Sequence, residues 1–179
     1  MAKYKDLVGT GVTNFAGDNP AVVDGELWYD SSSKAFKYQF PAVTSSGSWS
    51  TSGNLNTGRE YLASSGTQTA GLAFGGYTTT SVANAETYDG TSWTEVGDLN
   101  SARHEFGGIG SQTSALAFGG VAKVAITESW NGSAWTEVAD LNSGRKQLSG
   151  SGVSNTSALA IGGRIDEPRV AVVETWDGS

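Results

Sequence analysis

From about residue 47 onward the chain repeats one phrase three times. A double glycine closes an apolar run in "GLAFGG", "ALAFGG" and "ALAIGG", with Gly75, Gly119 and Gly162 spaced 44 and 43 residues apart. Leu55, Leu99 and Leu141 recur in "GNLNTGR", "GDLNSAR" and "ADLNSGR", which also carry Arg59, Arg103 and Arg145. Trp49, Trp93 and Trp135 each precede those leucines by 6 residues, and Glu86, Glu128 and Glu174 stand two before Tyr88, Trp130 and Trp176. A period in the low forties with several strands per unit signals a propeller-type array, in which each unit buries its apolar face only by stacking on the next.

Each unit reads as four strands. A small-residue stretch such as "HEFGGIGS" suits a crowded inner strand, and "SALAFGG" follows as a short apolar strand whose glycines free the backbone to turn. In "AITESW", Glu128 and Trp130 share one face by the period of two. The last strand, "AWTEVADL", is reached through Asn-Gly in "WNGSAW", as its counterpart is through Asp-Gly in "YDGTSW". Those dipeptides predict hairpins with type I′ turns, which need positive φ at both central residues. No segment carries a helical period.

The double glycine after an apolar strand, the Tyr or Trp before Asp-Gly or Asn-Gly, the Trp that opens the outer strand and the Leu-x-x-x-Arg joint together resemble kelch repeats. The resemblance covers residues 47–179 and implies an all-β fold of kelch-like β-propeller blades, each of four antiparallel strands. It departs from the family in blade number: the chain holds two full units and most of a third, whereas propellers have four to eight blades.

Residues 1–46 stand apart as an N-terminal segment. Within it, "DGELWYDSSSKAFKYQF" predicts a hairpin of "ELWYD", a polar turn and "AFKYQF". It resembles short "GDLWYN…LKxY" elements of bacteriophage virion and tail-fibre proteins near an attachment end. That resemblance implies an attachment role in which Trp28 and Tyr29, outside the repeat, meet a partner protein. An extra hairpin packed on the propeller is the plainer reading of the same residues.

The third unit supplies three strands and reaches "TWDGS", while "GSWSTSGNLNTGR" is an outer strand with no strands of its own before it. An unpaired sheet edge exposes a row of backbone donors and acceptors. The expectation is therefore a head-to-tail homo-oligomer. Each chain lends its Gly47–Leu55 strand to a neighbour's incomplete blade, first as a dimer with six blades and second as a trimer with nine. A longer parent chain with further blades is the other expectation.

Composition narrows the function. The formal net charge of −7 argues against a phosphate-binding surface, so no nucleic-acid partner is expected. With 0 Cys there is no disulfide framework, thiolate nucleophile or cysteine zinc site. No secretion signal or transmembrane run is present, and no membrane insertion is expected.

Candidate sites are few. One Arg and one Glu per unit predict structural interblade ion pairs or Arg-to-carbonyl hydrogen bonds through Arg59, Arg103, Arg145, Glu86, Glu128 and Glu174. His104, the only histidine, stands where the other units have Glu60 and Lys146, and no nucleophile motif adjoins it, so no catalytic residue is expected. Acidic residues lack calcium-loop spacing, and neither metal nor cofactor is expected. Asp89, Asn131 and Asp177 belong to hairpin turns. The Asn131 and Asn155 sequons matter only on a secretory route. Trp49, Trp93 and Trp135 hold equivalent positions, which favours packing over sugar stacking.

The loops after each double glycine differ most, and binding residues concentrate on loops held by a rigid scaffold. The third carries Arg164, Asp166, Glu167 and Arg169, a candidate recognition loop. The expectation is a non-enzymatic phage virion protein, structural or adhesive, assembled in the host cytoplasm, with other virion proteins and a surface glycan or receptor as partners. A cytoplasmic bacterial kelch-type module that binds a protein or glycan is the alternative. An enzymatic propeller lacks the clustered Arg, Tyr, His or Cys it would need.

Overall fold

The computed structural model describes residues 3–4, 12–16, 27–38, 47–165 and 169–178. The chain divides into two compact units, Met1–Ser50 and Thr51–Ser179. Both are built of strands, and no described helix is long and apolar enough to cross a membrane.

In the first unit, β1 (Lys3–Tyr4), β2 (Val12–Phe15), β3 (Leu27–Asp30) and β4 (Ala35–Tyr38) form one sheet in chain order. The hairpin legible in the sequence is β3–β4, paired antiparallel from Leu27↔Tyr38 to Asp30↔Ala35. Its turn is closed by Asp30, whose Oδ1 accepts the Ser32 N–H at 2.8 Å and whose Oδ2 accepts the Ser33 hydroxyl at 2.6 Å. Lys37 pairs with the same carboxylate at 3.1 Å. The hairpin is not alone, as the sequence suggested: β2 joins β3 in parallel and β1 adds an antiparallel edge. Both added strands are short and lack the alternation that marks a strand in sequence.

The second unit holds three antiparallel sheets. The first is β5 (Ala63–Thr67), β6 (Ala70–Phe74), β7 (Ala85–Tyr88) and β8 (Trp93–Val96). Next comes β9 (Gly107–Gly110), β10 (Ala115–Phe118), β11 (Thr127–Trp130) and β12 (Trp135–Val138). The third sheet has three strands, β13 (Ser149–Ser154), β14 (Ser157–Ile161) and β15 (Val173–Trp176), so among the described residues its outer edge is unpaired. Among the described residues the only departure from strand and loop is a 3-10 turn at Val121–Lys123, in the loop after the second double glycine.

The sheets bury their faces on one another. Between the first and second lie Leu72, Phe74 and Ala85 of one, Ala115, Ala117, Trp130 and Trp135 of the other, with Leu99 and Phe106 from the connection. Between the second and third lie Ile109, Leu116 and Phe118, met by Leu148, Ala158 and Ala160. Small residues set how closely the inner strands approach. A Cβ on Gly108 of β9 would stand 2.6 Å from the Ala63 Cβ of β5 and 2.7 Å from the Phe74 ring, so no larger residue fits. The double glycine is equally constrained: Gly75 has φ +62°, and a Cβ there would lie 2.6 Å from the Phe106 ring.

One local expectation is corrected. The Asp-Gly and Asn-Gly hairpins are not type I′. Asp89 sits before the corner and its Oδ1 accepts the Thr91 and Ser92 N–H groups, both at 2.8 Å. That leaves Gly90, φ +95°, as the first central residue, the type II′ pattern. Asn131 and Gly132, φ +94°, repeat it. Within the single chain Gly47–Leu55 forms no strand. A strand needs a neighbour to satisfy its backbone, and this stretch has none within its own chain.

Candidate functional site

The connection that precedes each sheet clamps it by the same side chains. Arg59, Arg103 and Arg145 are buried, and each meets the glutamate on the third strand of the sheet it introduces. Arg59 Nη1 is 2.5 Å from Glu86 Oε1, Arg103 Nη2 is 2.9 Å from Glu128 Oε1, and Arg145 pairs with Glu174. The guanidinium also donates to backbone: Arg103 to the carbonyls of Ile126 at 2.8 Å and Ala117 at 3.4 Å, Arg145 to those of Gly162 at 2.8 Å and Ala160 at 3.2 Å. The Arg103 carbonyl meanwhile accepts the N–H of Gly76 in the preceding sheet at 2.9 Å, and the Arg145 carbonyl accepts that of Gly120 at 2.9 Å. Each of these two arginines thus ties one sheet to the next.

An asparagine absent from the sequence-derived candidates completes the clamp. The Asn100 N–H and Nδ2 both donate to Glu128 Oε2, at 2.7 and 3.0 Å, and Nδ2 also donates to the Trp135 carbonyl at 3.0 Å. Asn56 makes the same three bonds, to Glu86 at 2.7 and 2.9 Å and to the Trp93 carbonyl at 2.9 Å. Asn142 makes the two to Glu174, at 2.6 and 2.8 Å. Burial pushes the Glu86 carboxyl up, but the bonds from Asn56 and Arg59 outweigh it and hold the group below its ordinary range. For Glu174, burial is likewise outweighed by Arg145 and Asn142. Burial also lowers the Arg103 guanidinium, with Glu128 opposing. The sequence signal for the asparagine was there, three residues before every arginine, but it sat inside a string that reads as a turn.

The residues just after each arginine collect at one end of the sheets, and here the repeats diverge. Tyr61, Glu105 and Gln147 hold equivalent positions and share left-handed backbone, φ 52°, 57° and 55°, a conformation uncommon outside glycine. Their backbones are linked in series: the Glu105 N–H donates to the Tyr61 carbonyl at 3.2 Å, and the Gln147 N–H to the Glu105 carbonyl at 2.6 Å. Above them stand unlike side chains. The His104 ring lies 4.9 Å from that of Tyr77 and 6.1 Å from that of Tyr61, centroid to centroid. Glu105 accepts from Lys146 at 2.6 Å and from Gln147 at 2.8 Å. The Lys146 bond holds the Glu105 carboxyl below its ordinary range against the opposing effect of burial.

The candidate recognition loop adjoins this end. Arg164 and Lys146 exchange backbone hydrogen bonds of 2.8 and 3.0 Å, and Arg164 bridges to Arg169. Asp166 and Glu167 lie outside the described residues. In the first unit, Trp28 is buried, while Tyr29 is half-buried with its ring 5.2 Å edge-on to Phe36. Phe36, at 66% exposure, is the more accessible ring of that hairpin.

Ser81 Oγ lies 2.9 Å from His104 Nδ1, a contact the sequence did not reveal because 23 residues separate the two. Among the described residues no carboxylate hydrogen-bonds the other ring nitrogen, so the pair lacks the orienting acid of a nucleophile–base–acid relay. No group of three or more His, Asp or Glu among the described residues is placed to hold a metal ion. No protein-family model matches the chain, and no curated protein matches it.

Proposed function

We propose that this chain is a non-enzymatic structural or adhesion protein of a bacteriophage virion. Its second unit would supply kelch-like blades of a β-propeller, assembled as a homo-oligomer. The observation that carries the reading is the division of labour between repeated and divergent positions. Leu, Trp, Asn, Arg and Glu recur to fix each sheet, while Tyr61, Tyr77, His104, Glu105, Lys146 and Gln147 vary at one end of it. A rigid repeated frame bearing unlike side chains at one rim is how scaffolds present recognition surfaces. The exposed Tyr61 and the half-buried Tyr77 and His104 beside the Glu105–Lys146 pair suit a glycan or a polar protein surface, and the net charge of −7 disfavours nucleic acid. The first unit, with its "ELWYD…AFKYQF" hairpin, would be the attachment end.

Detection of the chain by mass spectrometry in gradient-purified phage particles tests the virion assignment; its absence from particles overturns it. A glycan-array signal from a chain that never joins a particle would favour the alternative, a bacterial binding module. The recognition surface is tested separately. The combined Tyr77→Ala and Lys146→Ala variant should lose adsorption to host cells while its melting temperature falls little.

A further inference from the structure

The hairpin between β11 and β12 presents the only Asn-Gly pair of the sequence, Asn131–Gly132, on an exposed corner. Asn131 Oδ1 accepts the N–H groups of Ser133 and Ala134, both at 2.9 Å. Its amide nitrogen, Nδ2, and the Gly132 N–H donate no hydrogen bond to any described residue. Gly132 has φ +94° and carries no Cβ to crowd the nitrogen that follows the asparagine. The other asparagine amides of these sheets are engaged. Asn100 Nδ2 donates to Glu128 at 3.0 Å, Asn142 Nδ2 to Glu174 at 2.8 Å and Asn155 Nδ2 to Ser129 at 2.9 Å, and each is followed by Ser or Thr.

This corner is arranged for an acyl transfer within its own backbone. Once base takes the proton of the Gly132 amide, the nitrogen attacks Asn131 Cγ and closes a cyclic imide. The N–Cγ bond forms, negative charge gathers on Oδ1, and the Cγ–Nδ2 bond breaks as ammonia leaves with a proton from water. Water then adds to either imide carbonyl and reopens the ring, so the sequence needs neither oxidant nor reductant. Oδ1, where the charge develops, already rests on two backbone donors at the distance that suits an oxyanion. Nδ2 has no bond to the described residues to give up as it departs.

We propose that Asn131 is a self-modification site that deamidates to aspartate within the folded hairpin. The product fits the corner. In the first sheet the same turn is built on Asp89, whose Oδ1 accepts the Thr91 and Ser92 N–H groups at 2.8 Å, and the third unit carries Asp177 at this position. The aspartyl product keeps the hairpin and adds one negative charge to it. Opening at the other carbonyl gives isoaspartate, whose longer main chain breaks the register in which Trp130 faces Trp135 and loosens Trp135 from its seat against Phe74. The proposal depends on neither the virion nor the homo-oligomer reading.

The test incubates the full chain in mildly alkaline buffer, folded and in urea, and maps its peptides by mass spectrometry. In the folded chain Asn131 should gain about one dalton, as aspartyl and isoaspartyl forms, roughly tenfold or more faster than Asn142 and Asn155, the share expected of the two Oδ1 donors. Asp89→Asn, which sets a second Asn-Gly pair on the same kind of donors, should create a second such site. Asn131→Asp should melt as the wild type does. An Asn131 that persists in the folded chain or changes only in urea, an Asp89→Asn variant that keeps its amide, or an Asn131→Asp variant that melts well below the wild type each overturns the proposal.

Discussion

The second and third sheets are written in nearly the same residues and end in different states. In the second, four strands enclose Trp130, and the Arg103–Glu128 pair is shielded from water, with both side chains at 2% exposure or less. In the third, β15 is an edge among the described residues, Trp176 is half-buried, Val173 is 53% exposed, and the Glu174 side chain opens to 12%. The residues that differ least in sequence thus differ in burial because one outer strand is present and the other is not. The lesson is that the fourth strand acts at a distance from its own hydrogen bonds. Its tryptophan closes the apolar layer, and its carbonyl fixes the asparagine that in turn holds the glutamate.

The largest effect should come from removing that closing ring. Trp135→Ala empties the space between Phe74 and Trp130 and should cost about 3–5 kcal/mol in urea denaturation. Trp49→Ala, at a fully exposed position, should leave the stability unchanged. Next come the clamps. Arg103→Leu strands the buried Glu128 carboxylate and should cost about 3–5 kcal/mol. Arg145→Leu, whose partner is partly open to water, should cost less. A ranking in which Arg145 matters more would break the comparison between the sheets.

Smaller still is the asparagine. Asn100→Ala should lose about 1–3 kcal/mol, since it leaves buried acceptors unmet. Asn142→Ala, with one bond fewer to lose, should fall below it. Both are read as shifts in denaturant midpoint at constant slope.

The smallest effect is on pH. Glu86 and Glu174 are held below their ordinary value of 4.5 in the folded chain. Their contribution is therefore complete above about pH 4.5, the unfolded value, and is lost as pH falls towards the lowered folded values. A thermal melt repeated from pH 6 to pH 3 should show midpoints flat at first and then declining, and Glu174→Gln should flatten part of that decline. A midpoint that rises on acidification would contradict the clamp.

Much of the second unit is legible in sequence because its information is periodic. The glycine pairs, tryptophans and arginines recur at fixed intervals, which locates every strand from β5 to β15 and the shortfall in the third unit. What escaped is information that depends on geometry across the stack. Asn100 looks like a turn residue until Glu128 and the Trp135 carbonyl are brought to it. Ser81 and His104 meet only because two connections fold to the same end. The left-handed backbone of Tyr61, Glu105 and Gln147 carries no glycine to announce it. The turn type was misread for a related reason: the Asp89 side chain competes for the local N–H groups and moves the glycine into the first corner. In the first unit, β1 and β2 are too short and irregular to stand out without a repeat to average over.

The central claim is that the Arg–Glu–Asn clamp holds each sheet together, most completely in the second, where Arg103 meets the buried Glu128. Hydrogen exchange of the amides from Thr127 to Trp130, measured in the wild type and in Arg103→Leu under conditions where both are folded, tests it directly. The account predicts strong protection in the wild type and faster exchange in Arg103→Leu. Equal exchange in the two proteins, fast or slow, would contradict it.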